Sequence, residues 1–165
     1  WNGPAYNPDL NLLYVTAVDW CSSVKLQPLE TLKGTPGMPW TGSNDPKAAF
    51  GRFDPKTSWK GWVTAIDADS GKVQWKYRAP TPLLGGITAT ASELVFSGDL
   101  NGDVFALDGR TGKVLWRAPT NNAIGGGVIT YGVGGHQYVA ASAGLKSPIW
   151  PVNSESARVV VFALP

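Results

Sequence analysis

Residues 65–75 read AIDADSGKVQW and residues 106–116 read ALDGRTGKVLW. Ala65, Asp67, Gly71, Lys72, Val73 and Trp75 return as Ala106, Asp108, Gly112, Lys113, Val114 and Trp116, at a spacing of 41 residues. A period of that size marks one supersecondary unit copied along the chain, each copy too small to bury its own apolar face. Inside each copy the turn has a chemical logic. Asp67 and Asp108 accept from backbone amides further along the turn, and Gly71 and Gly112 take the positive φ that closes it. Trp75 and Trp116 end the following strand, where a large flat side chain wedges against a neighbouring sheet.

The flanking sequence continues in short strands. Strands are expected at 12–20, 62–67, 72–78, 86–90, 93–98, 103–108, 113–117, 127–131, 136–142 and 158–164, each bounded by Gly, Asn, Asp or Pro. The links Asp69-Ser70-Gly71 and Arg110-Thr111-Gly112 are too short for crossovers and make hairpins. No ten-residue window carries a helical stripe, so the fold class is all-β and antiparallel. With 20 Gly, 13 Pro, 8 Trp and only 16% charged residues, the composition suits many tight turns with aromatic packing. Paired glycines precede two strands, at Gly85-Gly86 and Gly125-Gly126-Gly127, as close backbone approach near a propeller axis requires; they also leave room for a planar ligand there.

From Cys21 to about Trp59 the pattern fails. Pro28, Pro36, Pro39, Pro46 and Pro55 interrupt it, and the segment at about 22–59 reads as a long loop excursion, either a partner contact or an ornament. Only three or four units of about 40 residues fit in 165 residues, whereas closed propellers have about four to eight blades. The chain therefore reads as a partial β-propeller domain over 1–165.

Several chemistries are excluded. A net charge of +2 with dispersed Lys and Arg makes no nucleic-acid stripe. No apolar run reaches about 18 residues, so no membrane-spanning segment is expected. Cys21, the single cysteine, is expected as a small buried hydrophobe at a strand end. His136 alone makes no metal site or triad. Gly98-Asp99-Leu100-Asn101-Gly102-Asp103 lacks the twelfth-position glutamate of a calcium loop and reads as a hairpin turn. No stretch matches a phosphate-binding loop.

The repeats, the opening Trp1-Asn2-Gly3-Pro4-Ala5-Tyr6-Asn7-Pro8, GGITATASELVFSGDLNGDVFALD at 85–108, GGGVITYGVGGHQYVAASAG at 125–144 and the closing ARVVVFALP resemble the C-terminal part of pyrroloquinoline-quinone (PQQ)-dependent alcohol and sugar dehydrogenases. The resemblance implies an eight-bladed propeller of four-stranded antiparallel blades, in which the two AxDxxxGKxxW segments are tryptophan-docking motifs that lock blade to blade. It implies a PQQ on the axis beside a calcium ion, a catalytic aspartate, export to the periplasm, and electron transfer to a cytochrome or quinone. Among residues of this chain it points to Trp1 near the cofactor, Leu84 in the place of a tryptophan before Gly85-Gly86, Gly144, and Trp150 as a lining residue. The metal carboxylates and the catalytic aspartate belong to earlier blades, so no catalytic or metal residue is assigned. The segment by itself is expected to be inactive and to bind PQQ and calcium weakly or not at all, and its sheet faces are expected to be covered by the remaining blades or by another copy of the chain. The alternative is a non-catalytic propeller-like scaffold that binds a protein partner.

Overall fold

The computed structural model describes residues 3–25, 27–37, 51–147, 149–150, 152 and 156–163. The chain divides into two compact units, one of Trp1–Asp19 with Lys60–Pro165 and one of Trp20–Trp59. Among the described residues there is no α-helix.

The larger unit holds three antiparallel sheets. The first runs in the order β1 (Ala5–Asn7), β2 (Leu12–Asp19), β5 (Lys60–Asp67), β6 (Val73–Ala79). The second runs β7 (Thr88–Ala89), β8 (Leu94–Gly98), β9 (Asp103–Asp108), β10 (Val114–Pro119). The third has β11 (Ile124–Val133), β12 (His136–Ala143) and β13 (Arg158–Ala163). Each four-stranded sheet is one copy of the repeat. The architecture is a partial β-propeller of successive blades.

Alternation of side chains explains how the sheets stack. In β5, Gly61, Val63 and Ala65 are buried, and they face a core shared with Leu12 and Tyr14 of β2 and with Val95, Phe105 and Leu107 of the second sheet. The opposite face of that second sheet carries Phe96, Val104 and Ala106 into a core with Ile124, Val128, Val139 and Ala141. The central sheet is thus covered on both faces, which is why LVFSG and DVFALD read as nearly continuous apolar runs. Each fully buried Val, Leu or Phe contributes roughly 1.5–3 kcal/mol relative to exposure. On the third sheet Ile129, Val133, Val159 and Val161 are exposed.

Strand ends depart from expectation where backbone groups find partners outside their own sheet. The strand expected at 86–90 narrows to Thr88–Ala89 because the Gly86 amide donates to the Gly126 carbonyl of the third sheet at 2.9 Å. The strand expected at 127–131 begins at Ile124 instead, with a bulge before Val128. Leu164, the end of the last expected strand, lies outside the described residues. β1 follows Pro4 and gave too short an alternation to be read. Asn7 then closes the turn into β2, its Oδ1 accepting the amides of Asp9 and Leu10 at 3.0 Å each.

In the smaller unit, Ser22–Ser23 (β3) pairs with Arg52–Phe53 (β4), and 3-10 turns stand at Leu29–Thr31 and Lys56–Ser58. Trp20 stacks on Phe53 with ring centroids 4.6 Å apart, and Trp59 meets both rings edge-on. The indole of Trp59 donates to the Asp54 carbonyl at 3.1 Å. Cys21 is exposed, contrary to the expectation of burial: its carbonyl is used to accept the Asp54 amide, and its side chain lies outside any core. Pro39 and Pro46 lie outside the described residues.

Candidate functional site

The first and second sheets are joined through the repeated turn. Asp108 Oδ1 accepts the amides of Arg110 and Thr111 and the Thr111 hydroxyl, and the Gly112 amide closes on the Asp108 carbonyl at 2.8 Å. The Thr111 hydroxyl and these amides hold the Asp108 carboxyl below its ordinary range; the Ser70 hydroxyl and amide do the same for Asp67. Gly112, at φ 72°, leaves a bare face onto which Trp75 lies: an added Cβ would sit 2.5 Å from the indole. Trp75 Nε1 donates to the Gly109 carbonyl at 2.9 Å, and the Tyr14 hydroxyl donates to the same oxygen at 3.0 Å. The copy at Asp67–Lys72 has the same internal hydrogen bonds and φ 69° at Gly71, yet nothing lies within 4 Å of where a Gly71 Cβ would be. Trp116 meets Phe162 of the third sheet edge-on at 5.1 Å.

The glycine pairs converge where the edge strands β7 and β11 meet. The Ser97 hydroxyl donates to the Gly86 carbonyl at 3.0 Å, and the Thr88 hydroxyl reaches across to the Val128 carbonyl. A Cβ on Gly85 would lie 3.0 Å from the Gly98 carbonyl oxygen and 3.1 Å from Ile124, and one on Gly86 would lie 3.2 Å from the Gly127 Cα. Gly125 faces Leu145 and Gly126 faces Ser142, both closer than 3.0 Å to an added Cβ. Gly144 takes φ +105° and donates its amide to the Ala123 carbonyl at 3.0 Å, with Ala157 against its bare Cα. Gly85 and Gly144 therefore both close on the segment 123–127. Leu84, half-buried, precedes Gly85. Trp150 lies in a turn in which the Ser147 hydroxyl accepts the amides of Ile149 and Trp150 at 3.2 Å each. Trp1 lies outside the described residues.

Beside this convergence is a buried polar cluster that the repeat pattern did not reveal. Asp99 is fully buried, and burial pushes its carboxyl above the ordinary value. Its Oδ2 accepts from Arg117 at 3.1 Å and its Oδ1 from the amides of Asn101 and Asp103. The same guanidinium donates to Asp103 at 2.7 Å and to the Tyr77 hydroxyl at 2.7 Å. The signal available in sequence was the turn Asp99-Leu100-Asn101-Gly102-Asp103 with an arginine on β10, the second strand after it, a relation with no unique spacing.

Fit to the implied cofactors follows from these contacts. Most of the glycines are filled by the chain's own atoms, while Gly127 alone of the cluster is exposed with open space at its Cα. Gly127 is therefore the position in this cluster where a flat group would meet bare backbone and no side chain. Among the described residues no group of three or more His, Cys, Asp or Glu side chains is placed to hold a metal ion.

Comparison with known proteins agrees with this architecture. The family model PQQ_2, described as "Outer membrane protein assembly factor BamB", matches residues 59–160. The quinoprotein alcohol dehydrogenase PedH of Pseudomonas putida is 30% identical over 152 residues, covering 91% of this chain and 24% of the relative. A quinoprotein ethanol dehydrogenase of Pseudomonas aeruginosa is 32% identical over 154 residues, covering 91% of the chain and 23% of the relative. The crystal structure of quinohemoprotein alcohol dehydrogenase from Comamonas testosteroni matches with a TM-score of 0.67 and 26% identity over 99% of this chain and 25% of that one. The chain thus spans about a quarter of the length of the curated relatives it matches. It belongs to the PQQ_2 family, as a partial β-propeller similar to one segment of the quinoprotein alcohol dehydrogenases.

Proposed function

We propose that the chain is the C-terminal segment of a PQQ-dependent dehydrogenase that oxidises an alcohol or an aldose sugar, and that its own part is to supply one wall of the quinone chamber. The observation that carries this is the convergence of Gly85-Gly86 on Gly125–Gly127 where the edge strands β7 and β11 meet, in a chain aligned over 91% of its length with quinoprotein alcohol dehydrogenases. A quinone held there would supply the hydride acceptor for the substrate alcohol. This chain would orient it: Gly127 lets the ring plane approach the backbone, Leu84 gives an apolar edge without stacking, and Gly85 and Gly144 hold the segment 123–127 that carries Gly127, with Trp150 as a lining residue. In this reading the whole protein works in the periplasm, and calcium or another cation and the catalytic aspartate belong to its other parts. So does the contact with a cytochrome or quinone acceptor.

The two AxDxxxGKxxW segments act as tryptophan-docking joints. The indole of Trp75 on Gly112 is the working example, and the bare Gly71 turn is the seat for an indole from a preceding blade. The remaining blades cover the exposed face of Ile129, Val159 and Val161.

Titrating the 165-residue chain with PQQ, with and without calcium, and assaying dye reduction with alcohols and aldoses tests the reading. Weak quinone binding without turnover is expected. Robust turnover by this chain alone overturns it. A second reading, a scaffold that binds a protein partner, draws on the description of the matching family as an assembly factor. It predicts no quinone binding at any concentration and capture of a folded protein by the open sheet faces.

A further inference from the structure

Asp99 is a fully buried carboxylate with no part in the quinone wall itself, and its setting is unusual. It lies in the β8–β9 turn, and that turn holds the link between the second and third sheets from two points. The Asp99 carbonyl accepts the Ile124 amide at 3.0 Å, and the Gly102 carbonyl accepts the amide and the hydroxyl of Thr120 at 2.7 and 2.9 Å. Ile124 begins the strand whose Gly126 carbonyl binds Gly86 and whose predecessor Ala123 binds Gly144. The turn in turn is fixed by one guanidinium, that of Arg117, which also takes the Tyr77 hydroxyl of the first sheet. A continuous set of hydrogen bonds therefore runs from Tyr77 through Arg117 and Asp99 to the glycine segment 123–127.

Magnitude argues that this arrangement is not there for stability alone. A buried ion pair rarely gains more than its desolvation costs, and an apolar group of equal volume often serves as well. What an ion pair adds is direction. Arg117 presents its donors in a rigid planar fork, so two carboxylates and a phenol can be satisfied together in only one placement of the turn.

We propose that Arg117 is a positioning residue: through Asp99 it sets where the segment 123–127 lies against Gly86 and Gly144, and so sets the wall described above. Its role in quinone binding rests on the proposed function, whereas its role in placing the segment does not. Arg117 touches no ligand in this account and performs no chemistry.

The test measures amide hydrogen exchange in the whole chain without cofactor. Arg117→Met should accelerate exchange of the Thr120, Ile124, Gly86 and Gly144 amides about tenfold or more, while amides of the β2–β5 ladder change little. Arg117→Lys, which keeps the charge, should recover much of that protection. Tyr77→Phe removes a single hydroxyl and should accelerate the same four amides by about two- to fivefold, and it serves where Arg117→Met does not fold. Uniform acceleration across all three sheets, or no acceleration at the four amides, overturns the proposal. In a parallel PQQ titration the wild-type chain decides the quinone reading by itself. If it binds, the Arg117→Met chain should bind more weakly than Arg117→Lys, and equal affinities overturn the link to the wall.

Discussion

The carbonyl oxygen of Gly109 receives two side-chain donors from the neighbouring sheet, Trp75 Nε1 at 2.9 Å and the Tyr14 hydroxyl at 3.0 Å. Both donors are aromatic, and their rings lie 5.7 Å apart. One main-chain atom thus takes two of the hydrogen bonds that join the first two sheets.

Removing one donor should be mild and removing both should not. Trp75→Phe is expected to cost about 1–2 kcal/mol and Tyr14→Phe about 0.5–1.5 kcal/mol, since each leaves Gly109 with a partner. The double variant leaves a buried carbonyl unpaired and should cost more than the sum. Urea unfolding of the four proteins closes the cycle, and strict additivity would refute a shared acceptor.

Alanine at the two repeated glycines should separate strain from collision. Gly71→Ala meets only the positive-φ penalty, about 1 kcal/mol, because its surroundings in this chain are open. Gly112→Ala adds a Cβ 2.5 Å from the Trp75 indole and should cost several-fold more. Melting temperatures of the pair measure the difference, and equal losses would place Trp75 elsewhere.

Tyr14 should resist ionisation. Burial, with the nearby charges of Glu93 and Asp108, pushes its phenol up to about 12. Because the folded value lies above the unfolded one near 10.0, its contribution to stability is complete below pH 10 and is lost as pH rises through about 12. Phenolate absorbance followed beside circular dichroism should show one tyrosine ionising only with alkaline unfolding, a step absent from Tyr14→Phe.

The turn carboxylates set the acid limb. Asp67 and Asp108 are held below the ordinary aspartate value of 3.8, first by the hydroxyls of Ser70 and Thr111. Depressed folded values give stability that is present above pH 3.8 and is lost as pH falls through the lowered value. Thr111→Ala should raise the Asp108 titration midpoint seen by carboxyl NMR and leave Asp67 unmoved. A common shift of both would argue for a global rather than a local cause.

The turn and its tryptophan were legible because their logic is local. Asp67, Ser70 and Gly71 make their hydrogen bonds within four residues, and the spacing of 41 repeats the pattern. The joint itself was legible only in outline, since which carbonyl meets Trp75 is decided 34 residues away. The candidate site was harder still. Glycine records that space is needed and not what fills it: Gly126 serves Ser142, Gly125 serves Leu145, and Gly127 faces open space among the described residues. Arg117 joins Asp99 and Tyr77 across 18 and 40 residues, a relation with no period to betray it. Cys21 misled because hydrophobic character was read without asking which strand would cover it.

Asp19 and Lys60 face each other as the last rungs of the β2–β5 ladder, so everything between them leaves and rejoins the sheet at one doorway. Closing a loop costs only about 0.6 kcal/mol for each doubling of its length. The forty residues in that doorway can therefore lengthen, shorten or be exchanged for another sequence with little tax on the blade that carries them. A blade built this way is held by its joints and leaves the stretch of sequence at this doorway outside the ladder that carries it.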